Sequence, residues 1–189
     1  MADDADTVIS DNSDAVTIAA GGNYYVWDGA SLTQPGSGAF SLEGSVAYID
    51  QYTIISESGG RRVEWTSLSG GPTSRSAAQV KLKEGRSDNV LRVIGAQGQL
   101  WVMGEESMEI WYNTGQPTTA VFERVPGAVI DFGLKNKTLA IEYKSSLYYV
   151  GVDSVFYRAD GRAQVALSTP AVQEALTGEE PTSLFIYED

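Results

Sequence analysis

The chain has 189 residues, of which 42% are hydrophobic, and it carries a formal net charge of −12. This hydrophobic content is ordinary for a folded protein and too high for a disordered chain. The sequence contains no cysteine and no histidine, which excludes disulfides, thiol nucleophiles, Ser-His-Asp triads and zinc sites of the usual kind. No apolar run approaches the roughly 20 residues that a membrane-spanning helix needs.

The charge is unevenly distributed along the chain. Residues 1–60 contain nine acidic residues and no lysine or arginine, whereas residues 61–100 carry a net charge of +4 and residues 101–189 a net charge of −7. Tight binding to nucleic acid requires clustered positive charge. Only the window from Arg61 to Arg92 offers any, and its basic residues alternate with acids. This window is therefore interpreted as a solvated loop face and not as a DNA-binding surface.

An internal repeat begins near the N-terminus. Residues 7–29 (TVISDNSDAVTIAAGGNYYVWDG) contain three short runs separated by turn residues, and residues 45–68 (SVAYIDQYTIISESGGRRVEWTSL) have the same layout. Runs rich in Val, Ile, Tyr, Trp and Thr between turn residues are typical of strands, so each unit is predicted to be an antiparallel meander. The interval 69–89, which follows, is predicted to be a surface loop.

The layout recurs in residues 90–115 (VLRVIGAQGQLWVMGEESMEIWYNTG) and 139–161 (LAIEYKSSLYYVGVDSVFYRADG). The middle runs start, at intervals of 37, 47 and 47 residues, near Ala15, Tyr52, Gln99 and Ser146. The stretches VFERV and AQVAL, which follow the third and fourth units, are candidates for a fourth strand. Repeats of roughly 40–50 residues with several strands each are typical of a β-propeller.

The sequence therefore predicts an all-β fold, a β-propeller-like array of about four antiparallel meander blades. Residues 1–189 are expected to form a single domain of this kind. One short helix is predicted at residues 170–177, because Thr169 is a good N-cap, Pro170 suits the first helical position and Gly178 suits the end.

The turns between the second and third runs read AGGN, ESGG, GEES and GVDS. Each contains glycine, which adopts positive φ at low cost in a hairpin. Glu105 and Glu106 of GEES are therefore expected on a solvated hairpin tip. In the run that follows, period-two alternation places Glu109 and Trp111 on one face. The other three units have an aromatic residue at the position equivalent to Trp111, where packing between blades is expected: Trp27, Trp65 and Tyr157.

Five stretches of the chain together have a familiar order and spacing. They are VISDNSDAVTIAAGGNYYVWDGASL, KEGRSDNVLRV, GQLWVMGEESMEIWYNTG, VPGAVIDFGLKNKTLAIEYKSSLYYVGVDSVFYRADG and VALSTPAVQEAL. This set resembles the hub, or packaged-DNA stabilisation, proteins of short-tailed phages. Members of that family are more than twice as long, so the resemblance implies a partial-length member, such as a prophage remnant, with an incomplete or open propeller.

The resemblance implies a structural virion protein that is not an enzyme and has no catalytic residues, metal or cofactor. Such a protein belongs to the head–tail connector and forms a homo-oligomeric ring that plugs or extends the portal channel. It stabilises packaged DNA without binding it tightly, offers a platform for other tail proteins, and has no membrane partner. It would lie in the virion tail after assembly in the host cytoplasm. The positions that resemble the family pattern are structural: Gly104, Glu109, Trp111, Gly115, Gly133, Gly151, Asp153 and Tyr157.

Two other classes of function remain open at this stage. One is a propeller-type scaffold for protein interactions that is unrelated to phages. The other is a carbohydrate-binding or glycosidase-like domain, in which carboxylates would flank a glycosidic bond close to aromatic rings. Its candidate residues are Glu105, Glu106, Glu109, Trp101 and Trp111.

Acidic residues near the N-terminus provide one candidate cation site, since Ca²⁺ prefers oxygen ligands. Their spacing does not match an EF-hand, so a solvated acidic tail is the favoured interpretation. The residues concerned are Asp3, Asp4, Asp6, Asp11 and Asp14.

Overall fold

The computed structural model describes residues 7–12, 14–116, 120–179 and 181–187. In this part of the chain, sixteen strands form four antiparallel sheets, each made of four consecutive strands in meander order. The first sheet contains β1 (Val8–Asp11), β2 (Val16–Ala20), β3 (Asn23–Trp27) and β4 (Leu32–Thr33). The second contains β5 (Glu43–Ile49), β6 (Tyr52–Glu57), β7 (Arg62–Trp65) and β8 (Val80–Leu82). The third contains β9 (Val90–Ala96), β10 (Gln99–Gly104), β11 (Met108–Asn113) and β12 (Phe122–Ile130). The fourth contains β13 (Ala140–Tyr143), β14 (Ser146–Val150), β15 (Phe156–Asp160) and β16 (Ala163–Ala166).

The all-β, propeller-like fold predicted from the repeat is confirmed, and every sheet has a fourth strand. The stretches VFERV and AQVAL contribute to β12 and β16. The interval 69–89 is not a loop throughout, because β8 lies within it and pairs with β7. A single turn of 3-10 helix also occupies Gly71–Thr73. Sequence pattern missed β8 because a three-residue strand bounded by polar residues is defined by its pairing partner and not by its own periodicity.

The sheets pack through their first strands. β5 lies between β1 and β9, and β9 also contacts β13, so the first strands gather at the centre of the array. Three hydrophobic clusters fill the spaces between consecutive sheets. The cluster between the first and second sheets includes Val8, Tyr24, Val26, Phe40 and Ile55. The cluster between the second and third includes Ile54, Trp65, Val102, Trp111 and Phe122. The cluster between the third and fourth includes Ile94, Trp101, Ile110, Leu147 and Tyr149.

This packing explains why the middle strands are apolar on both faces. The second and third sheets each have a neighbour on either side, so residues that alternate along β6 and β10 are buried in both directions. Burying one large apolar side chain contributes about 1.5–3 kcal/mol. The three hydrophobic clusters therefore supply most of the driving force that holds the sheets together.

Glycine has two different roles at the turns between the second and third strands. Gly21, Gly22 and Gly59 have positive φ, as expected for hairpins. The expectation is wrong for Gly104 and Gly151, which do not have positive φ. A Cβ atom on Gly104 would overlap the carboxylate of Asp88, and one on Gly151 would overlap the ring of Phe132. These two positions require glycine because neighbouring groups pack directly against the backbone.

The helix α1 (Pro170–Gly178) confirms the single helix predicted near the C-terminus. Thr169 is its N-cap, with the side chain accepting a hydrogen bond from Val172 N at 3.4 Å. Lys135 Nζ donates to Leu176 O at 2.7 Å and fixes the helix to the segment before the fourth sheet. Within the described residues, no helix has both the length and the hydropathy that are required to cross a bilayer.

Replacing Gly133 with alanine adds a single methyl group and tests how closely the backbone packs where the third and fourth sheets meet. A Cβ atom there would overlap the carbonyl group of Glu105, which is backbone and cannot rotate away. We expect Gly133→Ala to destabilise the protein by about 1–3 kcal/mol, as overpacked sites do. Urea unfolding measures the change. Gly36→Ala is the control, since nothing lies within 4 Å of a Cβ atom there; equal stabilities of the two variants would contradict the account.

Candidate assembly site

Buried charges reinforce the contact between the first and second sheets. Arg75, which follows β7, has a side chain only 2% exposed. Its Nη1 donates to Glu43 Oε1 at 2.6 Å and its Nε to Glu64 Oε1 at 3.1 Å. Burial disfavours the charged guanidinium, but hydrogen bonds to the two glutamates outweigh it and raise the pKa of Arg75. The guanidinium also lies 5.6 Å from the ring centroids of both Tyr24 and Phe40, so one side chain joins both sheets.

A second buried charged group links the segment between the second and third sheets to the hairpin that joins β10 and β11. Lys83, which is fully buried, donates to Asp88 and to Ser107 Oγ, the latter at 2.6 Å. The carboxylate of Asp88 also accepts from the backbone N–H groups of Glu106 and Ser107 at 2.9 and 3.0 Å. Burial opposes ionisation of Asp88, but hydrogen bonds from Lys83, from the backbone N–H group of Glu106 and from the hydroxyl group of Ser107 lower its pKa to about 2.

Glu109 is the third buried charge, in β11. Its carboxylate accepts from Trp111 Nε1 at 2.7 Å and from the backbone N–H groups of Glu84, at 2.9 Å, and Gly85. Arg124 Nη1 lies 3.7 Å away. Glu109 and Trp111 share a face as the alternation predicted. Glu109 is only 1% exposed, and both of its carboxylate oxygens accept hydrogen bonds from within the protein.

The segment between the third and fourth sheets is held by backbone hydrogen bonds at three glycines. Leu134 N donates to Gly104 O at 2.9 Å, and Val152 N donates to Gly133 O at 3.2 Å. Gly151 forms an isolated bridge with Leu134. The residues around 133 therefore lie between the tip of one hairpin and the tip of the next, which requires that Gly133 and Gly151 have no Cβ atom, because it would overlap the carbonyl group of Glu105 and the ring of Phe132 respectively.

Asp153 and Tyr157 close the turn of the fourth sheet. Tyr157 Oη donates to Asp153 Oδ2 at 2.7 Å, and Asp153 Oδ1 accepts from Val155 N at 3.1 Å. Burial, followed by the hydrogen bond to Asp153, raises the pKa of Tyr157 to about 12. The ring of Tyr157 packs edge-on against Phe132 with centroids 5.1 Å apart and stacks on Tyr149 at 5.5 Å.

The eight positions that resemble the phage family pattern thus fall into three groups. Gly104, Gly133, Gly151, Asp153 and Tyr157 come together where the third and fourth sheets meet. The pair Glu109 and Trp111 lies in the third sheet. Gly115 stands apart in the turn after β11, with φ of 77° and open space around it. The sequence pattern did not single out Arg75, Lys83 or Asp88, since a charged residue in a polar stretch gives no sign of burial.

Two expectations about aromatic and acidic residues have different outcomes. Trp65 and Trp111 are buried between sheets, but Trp27 is 44% exposed, so its expected packing between blades is wrong. Trp27 pairs with β4, which has only two residues and gives little cover. Glu105 and Glu106 are exposed on the hairpin tip as expected. Glu109 is buried, so it does not share their exposed surface, whereas a glycosidase needs two carboxylates that both reach the substrate.

The candidate cation site at the N-terminus receives no support from the part of it that can be placed. Asp3, Asp4 and Asp6 lie outside the described residues. Among the residues that are described, no group of three or more acidic side chains could hold a metal ion.

The basic window is not a solvated loop face, contrary to the sequence interpretation. Arg75 and Lys83 are buried, and most of the other cations there are ion-paired. The exposed or partly exposed pairs are Arg62 with Glu57, Lys81 with Glu123, and Arg86 with Asp131. The interpretation failed because several acidic partners, Glu43, Glu123 and Asp131, come from other segments of the chain, which spacing within the window does not reveal.

Apolar side chains are exposed at the outer edge of the fourth sheet. We call them the outer apolar surface, since exposed apolar side chains on an edge strand mark sites of protein association. Its members, 38% and 42% exposed, are Val165 in β16 and Leu167 directly after it.

Four four-stranded meander sheets, packed face to face with their first strands at the centre, define a β-propeller-type protein. The family model described as bacteriophage P22 Gp10, β-propeller, matches residues 1–185. The chain therefore belongs to this family of phage stabilisation proteins, as the resemblance of its five stretches implied. A comparison with curated proteins gave no match.

Similar solved structures show the fold alone, because their sequences are only remotely related. The extracellular domain of BT4673 from B. thetaiotaomicron has a TM-score of 0.57 and 12% identity, covering 87% of this chain and 22% of that chain. BamB from Moraxella catarrhalis has a TM-score of 0.52 and 12% identity, covering 89% and 48%. The computationally designed Ika4 protein has a TM-score of 0.51 and 11% identity, covering 80% and 88%. This chain thus spans less than a quarter of the first of these proteins and most of the last.

Breaking the Lys83–Asp88 pair tests the importance of buried charge at the junction of the second and third sheets. Asp88→Asn leaves the ammonium group of Lys83 buried without its anion, which typically costs about 3–5 kcal/mol. Asp131→Asn removes the partner of exposed Arg86 and is expected to change the stability little, because solvent screens this pair. Chemical unfolding at neutral pH compares the two variants, and a cost for Asp88→Asn no larger than for the control would contradict this role.

The same carboxylate predicts a pH dependence. The pKa of Asp88 is about 2 in the folded chain, below its value of about 3.9 when unfolded. Its contribution to stability is therefore complete above pH ~4 and is lost as the pH falls towards ~2. Unfolding measured from pH 5 to 2 should show a smaller acid destabilisation in Asp88→Asn than in the wild type. Identical profiles would mean that Asp88 has no lowered pKa.

Proposed function

We propose that this chain is a structural component of a short phage tail that plugs or extends the portal channel and stabilises packaged DNA. In this role it lies in the virion, after assembly in the host cytoplasm as part of a ring of copies, and offers a platform to other tail proteins. The observation that carries the proposal is the match of the phage stabilisation family to residues 1–185.

The junctions between sheets suit the wall of a channel that must resist shear. Each junction between consecutive sheets combines a hydrophobic cluster with hydrogen-bonded polar groups, so the sheets cannot slide without exposing apolar surface and breaking buried bonds. Arg75 serves the first junction, Lys83 and Asp88 the second, and the segment around Gly133 the third. A wall around a pressurised channel needs this resistance to shear.

The distribution of charge suits contact with DNA without tight binding. The chain carries a net charge of −12, and ion pairs occupy most cations of its one basic window. Carboxylates that face phosphates repel them over a Debye length of about 8 Å at physiological salt. DNA can therefore pass such a surface without being held to it.

The outer apolar surface supplies the expected contact with other tail proteins. It includes the edge strand β16, which presents unpaired backbone groups beside exposed Val165 and Leu167. Edge strands of this kind pair readily with another chain.

Phage particles assembled without this chain provide the direct test. We expect them to package DNA but to lose it on purification, and the wild-type chain supplied in trans to restore retention. Val165→Asp combined with Leu167→Asp should fold but fail to restore it, whereas Arg162→Asp, on the exposed turn before β16, should succeed. Stable DNA-filled particles in the absence of the chain would refute the proposal.

Binding of duplex DNA in solution is a second test. At about 150 mM salt we expect a Kd no tighter than the roughly 10⁻⁴–10⁻⁶ M of non-specific contacts. Fluorescence anisotropy with a labelled duplex measures it over a range of salt concentrations. Submicromolar affinity would contradict the role of a passive wall, and Lys81→Ala with Arg86→Ala would then show whether the exposed cations of the basic window are responsible.

A further inference from the structure

A cavity separates the first sheet from the fourth. It has a volume of about 650 Å³ and is lined by β1, by the start of β13 and by residues 182–184. The three junctions between consecutive sheets are filled by hydrophobic clusters, but this fourth space is open. Its lining includes apolar Ile9 and Ile141, whereas Val8 and Ala140, which also line it, are buried in the filled junctions, so a ligand with an apolar part can be accommodated.

The one charged residue among the described residues that line this cavity is Arg92, from the central strand β9. Its Nη1 donates to Lys137 O at 3.3 Å, whereas its Nε is buried without a hydrogen-bond partner. None of the described lining residues is acidic. Burial without an anion lowers the pKa of Arg92 to about 10.

Arg92 differs in this respect from the other buried cations of the protein. Arg75 is bonded to two glutamates, and Lys83 is bonded to Asp88. Burying a guanidinium group without a counter-ion is unfavourable. Although the sequence contains 25 acidic residues, none of those described lies beside Arg92 in the lining of the cavity. The missing partner and the open space therefore occur at the same point of the fold.

The chemistry of the guanidinium group defines the ligand. With Nη1 committed to Lys137 O, the edge formed by Nε and Nη2 retains two parallel donors within the described structure. A carboxylate accepts two such donors side by side. One carboxylate also neutralises the single charge of Arg92, whereas a phosphate dianion would leave an excess negative charge beside apolar walls.

We propose that the cavity between the first and fourth sheets binds a carboxylate group attached to an apolar moiety, with Arg92 as its counter-ion. The carboxylate comes either from a small organic acid or from an acidic side chain in an apolar segment of a partner protein. This site is separate from the outer apolar surface, so it does not depend on the proposed role in the tail.

Titration followed by NMR at the arginine Nε–Hε signals tests this site. The first probe is isobutyrate, and its neutral twin is isobutyramide, both at constant ionic strength adjusted with sodium chloride. The second pair of probes is a capped peptide, Val-Glu-Val, and its analogue Val-Gln-Val. We expect a saturable shift of the Arg92 signal with both carboxylates and none with the neutral twins. Tighter binding of the peptide would identify a protein segment as the source, and tighter binding of isobutyrate a small acid.

Variants separate the site from non-specific binding. Arg92→Gln should weaken carboxylate binding at least tenfold, and Arg92→Lys, which keeps the charge but not the paired donors, should weaken it less. Arg158→Gln is the control, since Arg158 lies on β15, outside the residues that line the cavity, and pairs with Asp160 at 3.9 Å. Binding in the Gln and Lys variants of Arg92 is followed through the methyl signals of Ile9 and Ile141.

Three results would overturn the proposal. The first is that neither isobutyrate nor the Val-Glu-Val peptide shifts the Arg92 signal in a saturable way. The second is that the neutral analogues shift it equally. Both results are measured on the wild-type protein, so they do not require any variant to fold. The third concerns the acidic residues that precede Thr7, a lining residue. If only the chain with Asp3, Asp4 and Asp6 replaced by Asn binds the probes, the counter-ion of Arg92 is internal and no external ligand is needed.

Discussion

Burial of both faces of a sheet is the constraint on which this structure depends. A four-stranded meander with apolar residues on both faces cannot be stable alone, because one face would remain in water. The second and third sheets bury both faces because each packs between two neighbours. The hydrophobic clusters on the two sides of the third sheet include Ile54, Trp65, Trp101 and Trp111. The first and fourth sheets have such a neighbour on one side only, which leaves the cavity between them.

Charged groups lie at the same junctions, and they are paired by ion pairs and hydrogen bonds. A buried charge contributes to a fold only if its hydrogen-bonding capacity is satisfied, since desolvation otherwise outweighs the attraction. Asp88 and Glu109 each accept several hydrogen bonds. They therefore fix the relative position of segments that apolar packing alone would hold less specifically. Among the described residues, Arg92 is the one charged side chain with a buried atom that lacks a hydrogen-bond partner, whereas the neutral side chains of Trp65, Trp101 and Tyr149 have such atoms inside the filled junctions.

The sequence predicted the fold well because its signals are local. The middle runs starting at Tyr52, Gln99 and Ser146 coincide with the first residues of β6, β10 and β14, since strand propensity and turns depend on neighbouring residues. What it missed depends on distant partners. The pairing that makes Val80–Leu82 a strand, and the contacts that exclude a Cβ atom from Gly104 and Gly151, come from other segments. Glu43, which pairs with Arg75, and Glu123, which pairs with Lys81, do too, so the residues of the basic window do not indicate by themselves that its cations are ion-paired.

Amide hydrogen exchange tests most directly whether stability resides in the three filled junctions. Exchange rates report the free energy of opening each segment. The account predicts the slowest exchange in β6 and β10, the middle strands of the two sheets that are covered on both faces, and faster exchange in β2 and β14 of the outer sheets. Equal protection of β2, β6, β10 and β14 would contradict it, because the cavity would then carry as much stability as a filled junction.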